Sequence, residues 1–318
     1  MNQHETTRAG APPTALPESE RVDERSLRLH KLTSDEVVDL FAASDGAVVA
    51  TLRAARTSIA RLGDAMADAL ERGGRIIYLG AGTSGRLGCL DAAEWPPTFG
   101  VSPARVVAIL AGGAKAFERS VEGAEDRAED ALLELRRIGF CSSDVLVAIS
   151  ASGGAPFVLE ALRYARELNA PRALVSANDA APVGADSGLL RVVLATGREV
   201  VAGSTRLKAA VATHLALQRA GNVCAVRCGW VYAGRMVEMR PTNQKLLARA
   251  ERIVVELGEV TAARAAECLA AARNDIKVAI VMARFGVEPS VARERLDAVR
   301  RRLDALPGFD GQASPPTA

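Results

Sequence analysis

The sequence predicts an α/β fold: a three-layer, doubly wound, five-stranded parallel sheet with N-terminal helices and a small C-terminal helical bundle. Five short apolar runs rich in β-branched residues lie in the middle of the chain, and amphipathic segments fill most of the gaps between them. Strands that alternate with helices form βαβ units, whose parallel sheet is covered on both faces. The expected strands are residues 75–80, 105–110, 144–149, 172–177 and 190–195.

Helical patterns surround these strands. The segment "TSDEVVDLFAAS" offers Thr33 or Ser34 as the N-cap of a helix with acids in its first turn. Further helices are expected over residues 116–139, 156–169 and 204–221, the last of them capped by its leading hydroxyl residues. From residue 243 to about 307 the pattern indicates three short helices, separated by "ELGEVT" and "FGVEPS".

The predicted organisation has four parts. A polar, proline-rich tail over residues 1–20 is expected to be disordered. The main domain with its N-terminal helices covers residues 21–242, the helical bundle covers 243–307, and a second tail covers 308–318.

Composition excludes several classes of protein. The 318 residues carry a formal net charge of only +2, which does not predict nucleic-acid binding. No secretory h-region opens the chain, and no apolar run approaches the roughly 18 residues of a membrane span. The five cysteines are scattered without a metal-ligand pattern, so reduced, buried thiols in a cytoplasmic protein are expected.

A glycine-rich stretch follows the first strand. Residues 80–85, "GAGTSG", fit G-x-G-x-x-G, the pattern of a dinucleotide site. Such a site needs an acid at the tip of the second strand, but that strand ends in "AILAGG". The helix after Gly85 is expected to stop at Glu94-Trp95-Pro96-Pro97. The dinucleotide interpretation is therefore disfavoured.

Three hydroxyl-rich turns each lead into a helix: "GTSG", "SASGG" and "GSTRLK". If the strand order is 2-1-3-4-5, the first two flank the topological switch point, where α/β sheets bind ligands. Helix N-termini and hydroxyl groups suit a compact phosphomonoester, although serine and glycine also serve as ordinary turn residues. The candidate phosphate- and sugar-binding residues are Thr83, Ser84, Ser150, Ser152, Gly153, Ser204, Thr205 and Lys208.

These motifs resemble those of a known family. "GAGTSGRLGCLDAAEWPPTFGV", "VEGAED", "AISASG", "GSTRLKA" and "TNQKL" are similar, in this order, to blocks of the N-acetylmuramic acid 6-phosphate etherases, which are sugar isomerase (SIS) domain proteins. The resemblance covers roughly residues 22–305. It implies a five-stranded parallel sheet, cleavage of a lactyl ether during cell-wall recycling, no metal or organic cofactor, and a homodimer with its pocket near the subunit interface.

The resemblance also assigns the catalytic pair. The family's acid precedes the Pro-Pro pair, which is Glu94 here, and its second glutamate lies in the "EGAED" block, which maps to Glu125. Glu94 is expected to protonate the lactyl oxygen and Glu125 to remove the C2 proton. Glu122, three residues earlier and on the same face of the expected helix, is a rival.

Departures and alternatives accompany this assignment. Trp95 stands where the family usually has cysteine, Gly154 where it often has arginine, and Leu207 where it has methionine. These changes are expected at the pocket rim. The alternatives are a non-catalytic sugar-phosphate-binding regulator similar to glucokinase regulatory protein, and an aldose–ketose phosphate isomerase on the same fold. A nicotinamide enzyme ranks third.

Overall fold

The structure, a computed structural model, describes residues 17–184 and 186–309. Its strands are β1 (Ile76–Gly80), β2 (Val106–Leu110), β3 (Val145–Ile149), β4 (Arg172–Ser176), β5 (Leu189–Val193), β6 (Val231–Tyr232) and β7 (Arg235–Met236). Its helices are α1 (Ser34–Ala54), α2 (Arg56–Glu71), α3 (Gly82–Phe99), α4 (Lys115–Glu118), α5 (Ala128–Arg137), α6 (Pro156–Glu167), α7 (Lys208–Arg227), α8 (Gln244–Gly258), α9 (Ala262–Ala271), α10 (Ile276–Phe285) and α11 (Pro289–Ala298).

The main sheet has the predicted topology. Its five strands are all parallel in the order β2-β1-β3-β4-β5, and each lies within two residues of its expected bounds. Every residue of β1 and β3 is buried, because helices cover both faces of the sheet. The predicted fold class is confirmed.

Two apolar clusters form the outer layers. On one face α1, α2, α3 and α7 pack over the sheet, and on the other α5 and α6 do so. Thr33 caps α1 in a capping box: its hydroxyl accepts from the Glu36 N–H, and the Glu36 carboxylate accepts from the Thr33 N–H.

The helix expected over residues 116–139 is wrong as a single element. The chain forms α4, a loop, a 3-10 turn at Ala124–Asp126, and then α5. Gly123 has a φ of +68°, which ends any right-handed helix at that point. The amphipathic pattern was real, but it belongs to α5 alone.

The expected end of α3 is also wrong. The helix continues through Pro96 and Pro97 to Phe99, and Gly100 terminates it with a φ of +66° while its N–H bonds the Pro96 carbonyl. Each proline lacks the N–H that a helical residue donates to the carbonyl four residues earlier, so α3 reaches Phe99 without two of its intrahelical hydrogen bonds.

The described C-terminal region has four helices, α8 to α11, instead of the expected three. Arg273 and Asn274 adopt positive φ and separate α9 from α10, and the Asp275 side chain caps α10. Phe309, assigned to the tail, is buried in this bundle.

At the other end, Glu18–Glu20 of the expected N-terminal tail form a 3-10 turn. The remainder of both tails, residues 1–16 and 310–318, lies outside the described residues. The four-part division stays a prediction.

Two further predictions concern membrane-spanning helices and the burial of the cysteines. Among the described helices, none is long and apolar enough to cross a membrane. The five cysteines are unpaired; Cys224 and Cys268 are buried as expected, whereas Cys141 is exposed.

Candidate active site

A crevice lies where the carboxyl ends of β1 and β3 meet. Gly80 and Ile149, the last residues of these strands, pair in register. The chain leaves β1 into α3 on one face of the sheet and leaves β3 into α6 on the other. Loops that diverge in this way open the crevice that binds ligands in doubly wound folds.

The first loop leaves the start of α3 without a side-chain cap. Its N-cap is Ala81, so the first-turn N–H groups have no side-chain acceptor. Thr83 and Ser84 lie half-buried in this turn, and their hydroxyls make no hydrogen bond within the described part of the chain. A Cβ on Gly85 would lie 2.4 Å from the Gly80 carbonyl oxygen, so only glycine lets α3 start this close to β1. Uncapped N–H groups and free hydroxyls suit an oxyanion.

The second loop is stabilised by hydrogen bonds between its own residues. The Gly153 N–H donates to the Ser150 hydroxyl oxygen at 3.1 Å, and the Gly154 N–H donates to that of Ser152 at 3.2 Å. The two hydroxyl oxygens lie 3.5 Å apart. Each oxygen accepts from the backbone and one hydroxyl can donate to the other, which leaves one hydroxyl hydrogen available to a ligand oxygen.

Ser204 and Thr205 lie in a backbone turn that precedes α7. The sequence predicts that these hydroxyls cap the helix, and this prediction is wrong. Helix α7 begins at Lys208, and the Glu199 carboxylate accepts from the Ala209 N–H at 2.9 Å. Burial raises the pKa of Glu199. The turn also contacts the N-terminal segment, since the Gly203 N–H donates to the Ser19 carbonyl.

Lys208 is almost fully buried at the start of α7. Its ammonium donates to the Ser44 hydroxyl on α1 at 2.9 Å and to the Arg198 carbonyl. Two of its three N–H donors therefore tie α7 to α1 and to the preceding loop. Its part in phosphate binding stays a prediction.

The two predicted catalytic glutamates are exposed and lie on different elements. Glu94 is on the outer surface of α3, whereas Glu125 is in the 3-10 turn at Ala124–Asp126. The expectation that Glu122 shares a helix face with Glu125 is wrong, because Gly123 breaks the helix between them. The Glu122 carboxylate instead accepts from the Ser120 hydroxyl at 2.8 Å.

Sequence reasoning missed a buried polar network beneath α3. One oxygen of Asp91 accepts from the Tyr78 hydroxyl at 2.6 Å and from Trp95 Nε1 at 3.0 Å. Burial raises the pKa of Tyr78 well above its ordinary range. The signal available was an aspartate four residues before a tryptophan, which places both on one helix face.

The expected place of Trp95 at the pocket rim is consequently wrong. Trp95 is buried in the core, where its ring meets Phe99 and Trp230 edge to face. Its ring fills space between α3 and α7, beside Gly221.

The family described as glucokinase regulatory protein N-terminal SIS domain matches residues 58–166, and with the doubly wound sheet this match identifies the class as that of SIS-domain proteins. An N-acetylmuramic acid 6-phosphate etherase of Geobacillus thermodenitrificans (strain NG80-2) is 41% identical over 292 residues, covering 90% of this chain and 98% of the relative. An enzyme of the same name from Aeromonas hydrophila subsp. hydrophila is 42% identical over 273 residues, covering 86% and 91%. The chain belongs to the N-acetylmuramic acid 6-phosphate etherase family.

Among solved structures, a phosphoheptose isomerase from Francisella tularensis is similar with a TM-score of 0.46 and 19% identity. The similarity covers 61% of this chain and 98% of that one.

Proposed function

We propose that this chain cleaves the D-lactyl ether of N-acetylmuramic acid 6-phosphate, releasing N-acetylglucosamine 6-phosphate and D-lactate. One observation carries the proposal: the similarity to etherases extends over nearly the full length of both chains. The proposed setting is cell-wall recycling in the cytoplasm by a homodimer, with no metal or organic cofactor.

The phosphate is the proposed anchor of the substrate. Its oxygens accept from the first-turn N–H groups of α3 and from the hydroxyls of Thr83 and Ser84. Ser150 and Ser152 donate from the facing loop, and the Gly153 turn holds them there. Ser204, Thr205 and Lys208 support the edge of the site nearer β5.

The reaction is proposed to proceed through the open-chain aldehyde, because the aldehyde makes the hydrogen on C2 acidic. The Glu125 carboxylate removes that proton, and the C3–O bond breaks as a carboxylic acid at Glu94 protonates the departing lactate oxygen. Water then adds to C3 of the unsaturated aldehyde, and a proton returns to C2. The new C3 hydroxyl oxygen comes from water, so lactate keeps the ether oxygen.

The test is D-lactate release from purified N-acetylmuramic acid 6-phosphate in heavy-oxygen water. Wild type should release lactate and place the label in the sugar, while Glu94→Gln and Glu125→Gln should each lose at least about 100-fold in kcat. Release of labelled lactate would instead mean that the bond from oxygen to the lactyl carbon is cleaved.

A sugar-phosphate-binding regulator is the second candidate, favoured by the match of residues 58–166 to the glucokinase regulatory protein domain. Saturable binding of the sugar phosphate to wild type without lactate release would select this alternative.

A further inference from the structure

Arg86 lies in α3 two residues after Ser84, and its guanidinium contacts the end of a different helix. Its Nε–H donates to the Ala116 carbonyl at 2.9 Å and to the Phe117 carbonyl at 3.1 Å, and its Nη2 donates to the Arg119 carbonyl at 3.3 Å. These carbonyls lie in and just after α4, where a helix end leaves its own acceptors unpaired. Within the described part of the chain, Arg86 has no carboxylate partner, so its contacts are with this backbone.

The backbone between α4 and Glu125 needs such external support. Glycines with positive φ flank this stretch: Gly112 and Gly113 come before α4, and Gly123 comes directly before the 3-10 turn. Glycine restricts the backbone least, and a helix of four residues such as α4 is not stable on its own. The conformation of this stretch therefore depends on contacts with the rest of the fold.

A chain of contacts leads from α4 to Glu125. Ala116 and Val121 both pack against Gly112, where a Cβ would lie 3.2 Å and 3.0 Å from their Cβ atoms. The Val121 carbonyl then accepts from the Ala124 N–H at 3.2 Å. Ala124 is buried, and Glu125 follows it in the turn that packs against α6. The position of Glu125 is thus linked through packed backbone to the end of α4.

The Glu125 carboxylate itself is exposed and makes no hydrogen bond or ion pair within the described residues. Its direction therefore depends on the backbone of its turn. Ser84, by contrast, lies in the same helix as Arg86. Arg86 thus joins the element that is proposed to bind the phosphate to the segment that carries the proposed base.

We infer that Arg86 is a positioning residue, which holds residues 115–125 so that the Glu125 carboxylate keeps a fixed distance from a phosphate bound at the start of α3. This inference rests on the proposed function. The phosphate and the C2 proton belong to one substrate molecule, so a base that moves away from the phosphate site loses contact with that proton. Arg86 therefore acts on proton removal and leaves phosphate binding unchanged.

Steady-state kinetics of Arg86→Ala test this inference. A misplacement of about 1 Å can cost about 100-fold in rate, so kcat should fall by about 10–100-fold while KM for N-acetylmuramic acid 6-phosphate changes by less than about threefold. Arg86→Lys keeps the cation but lacks the planar array of donors, and it should show a smaller loss of the same kind. Circular dichroism checks the fold of both variants, and Arg86→Lys carries the test if Arg86→Ala does not fold.

Double variants separate positioning of the base from a general loss of structure. Added to Glu125→Gln, Arg86→Ala should lower kcat by less than about threefold, because the base is already absent. Added to Glu94→Gln, it should lower kcat by about 10–100-fold, as in wild type, because the base still acts. Equal losses in the two backgrounds would overturn the inference.

Arg105, which directly precedes β2, provides a matched control. Its Nε–H donates to the Gly74 carbonyl at 2.9 Å and its Nη2 donates to the Leu70 carbonyl at 2.7 Å. Arg105→Ala removes the same kind of contact at the sheet edge opposite the crevice and should leave kcat unchanged. Unchanged kcat in Arg86→Ala, or a rise in KM alone, would contradict the positioning role. Absence of lactate release by wild type would sink the proposed function instead, so the two failures are distinguishable.

Discussion

At the scale of single residues, Gly153 shows how tightly the second candidate phosphate loop is packed. Its φ is +70°, and a Cβ there would lie 2.4 Å from the Ala181 Cβ. The same residue donates its N–H to Ser150, so its conformation fixes the position of that hydroxyl. Any residue other than glycine would therefore meet both backbone strain and a steric clash at this proposed ligand contact.

Gly153→Ala is expected to lower the free energy of unfolding by about 1–3 kcal/mol and to raise KM for the sugar phosphate. Gly154→Ala is the matched control, because it has ordinary φ and its Cβ would meet nothing closer than 3.7 Å. Urea titration and steady-state kinetics measure the two effects. Equal stability and KM in both variants would contradict the argument.

At the scale of elements, α3 and α7 both begin near the carboxyl edge of the sheet, but their first turns differ in hydrogen bonding. The start of α3 has no side-chain cap, whereas Glu199 satisfies the start of α7. A helix start with free N–H groups suits an anion better than a capped one, so α3 is the stronger candidate for the phosphate anchor.

The Glu199 cap predicts a pH-dependent stability difference. Burial raises the pKa of the folded carboxyl above its ordinary value of 4.5, so folding favours the neutral acid. Its contribution is complete below that value and is lost as pH rises through the folded-state pKa. Glu199→Gln keeps an oxygen for the Ala209 N–H and should therefore raise the urea midpoint at neutral pH.

At about pH 4 the wild type and Glu199→Gln should unfold at nearly the same urea concentration. Glu199→Asp keeps the charge and serves as the control, with no gain at neutral pH. A Glu199→Gln midpoint below wild type at neutral pH would show that the ionised carboxylate, beside Lys208, stabilises the fold.

Local pattern predicted the strands well and the helix ends poorly, for a physical reason. The all-buried runs of β1 and β3 follow from apolar composition, which sequence displays directly. The end of α3 and the break before α5 depend on the positive φ of Gly100 and Gly123, which glycine permits but does not require. The pattern of prolines alone placed the end of α3 too early.

The candidate site was predictable only in part for a similar reason. Hydroxyls at strand ends indicate the candidate phosphate loops, because topology gathers those ends at one edge. The contacts of Lys208 with Ser44 and of Tyr78 with Asp91 join different elements through packing that no local pattern encodes.

At the scale of the whole molecule, a buried charge cluster joins the C-terminal bundle to the sheet domain. Lys277 on α10 is 1% exposed and pairs with Glu238, whose other oxygen lies 3.4 Å from Arg301. The backbone of Glu238 also rests against Gly100 at the end of α3. The bundle is thus tied to the helix that carries Glu94.

Glu238→Gln leaves the Lys277 ammonium buried without its anion and should destabilise the fold by about 3–5 kcal/mol. Lys277→Met removes the buried cation while Arg301 still pairs with Glu238, so its loss should be smaller. The double variant should be more stable than Glu238→Gln alone. Thermal or urea unfolding of the three variants measures this, and simple additivity would refute the coupling.

The unbroken course of α3 also constrains how the chain length can change. One residue inserted between Ser84 and Glu94 would turn the rest of the helix by about 100° and swing Glu94 off its outer face. The connection from β4 to β5 is equally constrained, because it lies against the second loop: the Asn178 side-chain amide donates to the Ser152 carbonyl at 2.9 Å. We therefore expect α3 to keep a fixed number of residues among related chains.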